Sequence, residues 1–284
     1  MAVNIVCIER VLIAVPSLAD SRDNWRRAGF GISQDEFQHG RIRIARMAAG
    51  AVEIDLCEVD AHQPDHTGFL AAPLREAIEN GGGIVGWVWG LRAVPDTDAP
   101  DSKLSASKQS ITLPGLSDSI TIANAELHPS GLPGVLTATA KTNLDIESRR
   151  LMLRDLCGPN PNSVEYLEHI VVMTPDLEEA IAANESLGVP CKRIREVGNG
   201  ARQAFFKLEQ TVLEVVGPAR GKPGCWGIAL MCTDIANAVA TARTGRLQAT
   251  EPKLAIQGGQ IARIVEPLDG VAIAFMRPGP RRDD

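Results

Sequence analysis

The chain has 284 residues, of which 44% are hydrophobic, 23% charged and only 4% aromatic, with a formal net charge of -6. These values fit a globular protein with an aliphatic core, long enough for one large or two ordinary domains, and exclude a disordered chain. The acidic balance, the absence of a basic run and the scarcity of aromatic platforms argue against a nucleic-acid partner.

The N-terminal stretch from Met1 to Pro16 is apolar but carries Glu9 and Arg10 in its middle and has no basic leader, so it reads as a strand rather than a signal peptide. No apolar run approaches the roughly 18 residues of a membrane span, so no membrane partner is expected. Val11 to Val15 is a strand, Leu18 to Ala28 a helix stopped by Gly29, and Ile42–Met47 and Val52–Val59 are strands. Phe69 to Asn80 reads as a helix with Leu70, Leu74, Ala77 and Ile78 on one face. The run Gly81-Gly82-Gly83 ends it, and Ile84 to Leu91 is a strand. Ala93 to Lys108 reads as a long loop, with strands near Ile111, over Ile120–Leu127 and over Gly134–Ala140, then a helix from Leu144 to Leu156. These last strands suggest a degraded or rearranged unit of undetermined order.

Cys157 to Asn162, rich in Pro and Asn, is the best linker, giving expected domains of 1–158 and 164–284. Beyond it, Leu167 to Met173 is a strand. Thr174 and Pro175 suit a helix start, and the helix runs to Leu187 with Gly188 as its stop. Strands follow over Cys191–Val197, Gln203–Leu208 and Thr211–Val216. A further unit has a strand over Trp226–Met231, a helix capped by Asp234 and ending near Gly245, and strands over Gln260–Val265 and Val271–Met276.

A repeat underlies this order. Arg10 to Leu56 recurs as His169 to Val215 at an offset of 159, matching Pro16 to Pro175, Leu18 to Leu177 and Gly29 to Gly188. The same offset places Arg10 and Asp55 on His169 and Glu214.

Glu168-His169 followed by Thr174-Pro175-Asp176-Leu177, and the later Val212-Leu213-Glu214, resemble the signature of the vicinal oxygen chelate superfamily, which includes glyoxalases, bleomycin-resistance proteins and dioxygenases. The resemblance is best over 164–217 and weakest over 83–158. It implies an α+β fold of tandem β-α-β-β-β units paired into open curved barrels, each with a cavity for a small molecule. In such a family His169 and Glu214 would face the cavity as catalytic residues and as ligands of a divalent Zn, Fe, Mn or Ni ion. The implied function is a small-molecule enzyme of the lyase or isomerase type, polarising vicinal oxygens of its substrate. A metal-free binding protein, and a metal-free acid–base enzyme using His169, are the alternatives. Units of this kind pair within a chain or across a homodimer.

The paired unit places Gly227 and Ala274 where further ligands would stand, so a buried His169–Glu214 hydrogen bond is the other reading of that pair. Arg10 cannot ligate a metal. With Asp55 it forms either a buried salt bridge or a clamp for a substrate carboxylate. Arg202 and Gln203, and Gln260 and Arg263, occupy similar strands, and alternation turns one of each pair into a cavity. Arg202 and Arg263 are candidate substrate ligands, with solvated strand charge as the competing reading.

His128 lies at a strand end, where a turn histidine and a cavity residue are the two readings. His62, His66 and His39 read as solvated loop residues. The triple glycine follows a helix and precedes a strand, the reverse of a phosphate loop, so no nucleotide cofactor is expected. Cys7, Cys57, Cys157, Cys191, Cys225 and Cys232 show no CxxC spacing and read as reduced thiols of a soluble cytoplasmic protein.

Overall fold

A computed structural model describes residues 2–39, 41–59, 71–94, 110–114, 119–124, 135–138, 145–221, 223–256 and 258–279. The first half contains β1 (Ala2–Ala14), α1 (Leu18–Arg27), β2 (Phe37–His39), β3 (Ile42–Ala49), β4 (Val52–Val59), α2 (Ala71–Glu79), β5 (Gly83–Val94), β6 (Ser110–Pro114), β7 (Ser119–Asn124), β8 (Val135–Ala138) and α3 (Ile146–Cys157). The second contains β9 (Val164–Met173), α4 (Leu177–Ser186), β10 (Cys191–Gly198), β11 (Ala201–Leu208), β12 (Thr211–Gly217), β13 (Gly224–Cys232), α5 (Ile235–Thr244), β14 (Lys253–Leu254), β15 (Gln260–Arg263) and β16 (Ala272–Arg277).

The strands form two eight-stranded sheets of identical plan, β2-β3-β4-β1-β5-β8-β7-β6 and β10-β11-β12-β9-β13-β16-β15-β14. In every unit the first strand runs parallel to the last: β1 with β4, β5 with β8, β9 with β12, β13 with β16. First strands of paired units meet antiparallel at the middle of each sheet, β1 with β5 and β9 with β13. The architecture is thus α+β, with units paired inside the chain. Strands β5 to β8, whose order the sequence leaves open, take the regular order of a second unit in the first sheet. The long loop expected up to Lys108 lies outside the described residues from position 95 onward.

Local chemistry fixes the helix starts. Ser17, Asp176 and Asp234 each accept a hydrogen bond from a backbone N–H of the first turn, satisfying a donor the helix leaves unpaired. The cap of α4 is therefore Asp176, not Thr174. The Thr174 hydroxyl instead accepts from the Asp176 N–H, holding the residues just before the helix. The short strands β2 and β14 escape the sequence reading because two or three residues carry no alternation to recognise.

Strand alternation divides each sheet into two faces. Val11, Ile13, Ala45, Leu56, Ile170, Val172, Leu213, Ile228 and Phe275 belong to one continuous core with Leu18 and Trp25 of α1, Leu177 of α4 and Ile235 of α5. Full burial of one such side chain stabilises the fold by roughly 1.5–3 kcal/mol. That shared core places α1, α4 and α5 on the outer faces and leaves the concave faces for other groups. At the seam between the halves, Asp269 accepts hydrogen bonds from Ser21 Oγ and Trp25 Nε1, both at 2.8 Å. The expected linker is stitched down as well, since buried Asn162 donates to Ala28 O at 2.9 Å and Asn160 donates to Ala48 O at 3.0 Å.

Candidate functional site

The two concave faces hold different chemistry. In the first sheet, Leu12, Ala14, Ile42, Ile44 and Cys57 pack under Leu74 of α2, and Ala48 packs under Leu153 of α3, so two helices cover the face. Beneath them lies an ion network. Arg10 meets Glu53 at 2.6 Å and Asp55 at 3.2 Å, while Arg46 meets Asp55 at 2.7 Å and Glu53 at 2.9 Å. Arg149 of α3 donates to Glu53 at 2.8 Å, to Glu9 O at 3.0 Å and to Ala51 O at 2.7 Å. Arg10, Arg46, Glu53 and Asp55 are all fully buried. Burial alone would raise the Asp55 carboxyl, but Arg46 and Arg10 outweigh it and hold the group below its ordinary range. Arg10 and Asp55 therefore form a buried salt bridge, the first of their two readings.

The second sheet leaves its concave face without a described helix. Ile170, Val172, Leu213, Ala204, Phe206, Ile228, Leu230, Ala262, Ile273 and Phe275 all point to the core, so the residues between them point the other way. His169, Glu214, Gln203, Phe205, Lys207, Ala229, Ala274 and Arg263 accordingly share the concave face. The ladders align a row across six strands: Arg263 beside Ala274, Ala274 beside Ala229, Ala229 beside His169, His169 beside Val212, and Val212 beside Lys207. The neighbouring row holds Ala272, Gly227, Val171, Glu214 and Phe205.

His169 and Glu214 lie on adjacent strands and on the same face of the second sheet. Nε2 of His169 lies 4.0 Å from Glu214 Oε2, beyond hydrogen-bond reach. The Glu168 carboxylate abuts Nδ1 without a hydrogen bond between them. Gln203 Nε2 donates to Glu214 Oε1 at 2.6 Å and fixes that carboxyl group. The Phe205 ring stands edge-on to the imidazole at 6.2 Å. Burial, aided by Lys207, lowers the imidazole to about 4. Burial pushes Glu214 up to about 7, with Arg195 opposing.

Arg263 faces the cleft. Arg202, one residue before Gln203, faces the opposite way and pairs with Glu178 of α4 at 2.7 Å, which corrects its reading as a substrate ligand. Gln203, which the sequence offered only as the neighbour of Arg202, is the residue that belongs to the site. Lys207 and Phe205 were missed, and strand alternation counted from Glu214 would have found them. Gln260 shares neither ladder position. His62, His66 and His128 lie outside the described residues, as does the side chain of His39. Cys157, Cys225 and Cys232 are each pushed up to about 12 and Cys57 is raised further, all by burial, which keeps these thiols protonated. Gly81, Gly82 and Gly83 turn α2 into β5 with φ of 92°, 99° and 137°.

The donors fit a divalent metal only in part. The register confirms the internal correspondence: Glu214 lies two residues past the partner of His169, and Ala274 two past the partner of Gly227. A Cβ at Gly227 would sit 2.3 Å from Ala272 O, so this backbone admits no ligand side chain there. Among the described residues, no three His, Cys, Asp or Glu side chains are placed to hold a metal. His169 and Glu214 are compatible with two positions of a Zn, Fe, Mn or Ni site but do not complete one.

Hollows along α1 (about 590 Å³, lined by Asp20, Asp23, Asn24, Arg26 and Arg27) and between α1 and α5 (about 410 Å³) expose polar surface remote from His169 and Glu214. No described helix is long and apolar enough to cross a membrane.

No family profile and no curated protein sequence matches the chain. Solved structures do. A variant of 4-hydroxymandelate synthase from Streptomyces coelicolor aligns over 98% of this chain and 94% of its own, at 12% identity and TM-score 0.60. An extradiol ring-cleaving dioxygenase from B. fuscum aligns over 100% and 74%, at 14% identity and TM-score 0.59. A xylose isomerase-like TIM barrel/4-hydroxyphenylpyruvate dioxygenase fusion protein aligns over 100% of this chain and 51% of its own, at 13% identity and TM-score 0.61. At these identities the likeness concerns fold. With two sheets of paired units, each first strand parallel to its last, the chain has the vicinal oxygen chelate fold.

Proposed function

We propose that the protein is a small-molecule enzyme of the lyase or isomerase type, working by proton transfer in the cleft of the second sheet. One observation carries this reading. His169 and Glu214 face the same cleft 4.0 Å apart, and burial moves their ionisation to about 4 and about 7. A carboxyl group near 7 is divided between acid and base at neutral pH, the condition for efficient general acid–base work. Glu214 Oε2 takes the proton from an acidic C–H of the substrate and returns it. Gln203 holds the other oxygen, so the carboxylate does not rotate away. Neutral His169 accepts a substrate O–H at a ring nitrogen and orients the molecule. Because the donor set is incomplete, no step is assigned to a metal.

A second reading, a metal-free binding protein, is favoured by the small side chains at Gly227, Ala229, Ala272 and Ala274, which leave room without adding chemistry. A small molecule is the partner in both readings.

The test is proton exchange in deuterated water, followed by NMR, over a panel of enolisable ketones and carboxylic acids. Exchange that Glu214→Gln abolishes supports the enzyme. Binding without exchange supports the sequestration protein. Metal analysis of protein purified without chelator or nickel resin accompanies it. Near-stoichiometric metal, lost in both His169→Ala and Glu214→Ala, would replace acid–base chemistry with a metalloenzyme.

A further inference from the structure

On the two concave faces the strand ladders match residue for residue at the offset of 159, so each side chain of one face has a counterpart on the other. Arg46 beside Asp55 corresponds to Phe205 beside Glu214, and Ala48 beside Glu53 corresponds to Lys207 beside Val212. Arg10 beside Glu53 corresponds to His169 beside Val212. Both arginines of the first face are buried, and buried aromatic rings stand in their places on the second. Among these matched positions a cation reappears at Lys207, where the first face has alanine. Positive charge has moved from beneath the face to its exposed border.

Lys207 is placed to act on the His169–Glu214 pair. Phe206 and Leu208 enter the core, which turns the lysine between them to the concave face. It shares a row with His169 across Val212, and two strand spacings of about 4.8 Å put the two backbones roughly 10 Å apart. The lysine's charge reaches the imidazole and adds to burial in lowering it. Its Nζ donates to Gln210 O at 3.3 Å, and an ammonium carries three donors, so it has capacity for a ligand as well. Arg195 lies on the other side of the pair, beside Gln203, and its charge acts on Glu214.

Proton abstraction by Glu214 creates a charge that the pair itself does not answer. As the substrate C–H bond breaks, its proton forms the carboxyl O–H and its electron pair enters a new C=C bond. The carbonyl oxygen becomes an enolate oxyanion, and return of the proton reverses each change. Glu214 is neutral after the transfer, and His169, with its ionisation at about 4, is neutral throughout at neutral pH. A cation directed at that oxygen stabilises it where the charge develops.

We propose that Lys207 is a catalytic residue of this cleft, its ammonium donating to the substrate carbonyl oxygen and holding the negative charge which that oxygen takes up as Glu214 removes the neighbouring proton. The assignment rests on the acid–base reading above and names the reacting group of the substrate as an enolisable carbonyl.

The test is deuterium exchange by the full chain, measured over a range of substrate concentrations so that kcat and KM separate. Lys207→Met keeps the length of the side chain and removes its charge. It should lower kcat for exchange about 10²–10³-fold while KM changes less than about threefold. Lys207→Arg keeps the charge and should recover about tenfold of that loss, and Arg195→Met should cost less than about tenfold. Lys207 is exposed, so unchanged melting temperatures are expected and establish that the variants fold.

Full kcat in Lys207→Met, a loss confined to KM, or a larger loss in Arg195→Met would overturn the assignment. Exchange that still depends on Glu214 would then leave the acid–base reading standing. No exchange by the wild type with any ketone or acid of the panel would overturn both.

Discussion

The two sheets share one plan and diverge on their concave faces. In the first, Arg10, Arg46 and Arg149 meet Glu9, Glu53 and Asp55 beneath α2 and α3, and charge is answered by charge. In the second, the matched positions carry His169 and Glu214, 4.0 Å apart and without a covering helix among the described residues. A charged network with every arginine opposed by carboxylates is chemically quiet. A buried imidazole and carboxyl displaced in ionisation by the same burial are the pair to which we assign proton transfer. On one strand plan, one concave face carries a closed ion network and the other carries His169 and Glu214.

The largest effect expected separates the faces by stability. Asp55→Asn leaves Arg10 and Arg46 without their shared partner and should cost about 3–5 kcal/mol in urea unfolding. At pH 5, Glu214→Gln should cost about 1 kcal/mol or less, because Glu214 is already largely protonated there. A comparable loss from both substitutions would erase the contrast.

The pH dependence runs in opposite directions. Glu214, raised from 4.5 to about 7, favours the folded state below pH 4.5, and that contribution fades as pH rises to about 7. Removing the carboxyl should therefore make Glu214→Gln more stable than wild type at pH 8, by on the order of 2–3 kcal/mol. His169, lowered from 6.5 to about 4, contributes its full share above pH 6.5 and loses it as pH falls toward 4. Asp55, held below 3.8, stabilises above that value and loses its contribution in stronger acid. Chemical denaturation from pH 3 to 9 with single variants checks all three signs.

A smaller effect sharpens the comparison of the two units within the second sheet. Gly227→Ala should destabilise by roughly 1–3 kcal/mol, since its Cβ meets Ala272 O at 2.3 Å, and Gly227→His should not create a metal site. The smallest effect is expected at Arg202. Its exposed pair with Glu178 is worth less than about 1 kcal/mol, and Arg202→Ala should leave proton exchange unchanged.

Much of this was legible in the chain. The 159-residue offset placed the units, β4 begins and ends where the sequence suggested, and His169 with Glu214 emerged as a pair. Three things were not legible. Arg46 and Arg149 reach Asp55 and Glu53 from a neighbouring strand and a distant helix, and no local pattern marks such partners. The facing of Arg202 and Arg263 depends on which neighbours enter the core, which a lone charged residue on a strand does not reveal. The order of β5 to β8 is hidden because β5 pairs with the distant β8, Trp87 beside Val135.

The most direct measurement is methyl NMR of the protein, with Ile, Leu, Val and Ala labelled, titrated with the panel of enolisable ketones and carboxylic acids. If the second concave face is the working one, shifts fall on Val171, Val212 and Ala229 and spare Leu12, Ile42 and Ile44. Shifts confined to Leu12, Ile42 and Ile44 would place the site beneath α2 and contradict the account.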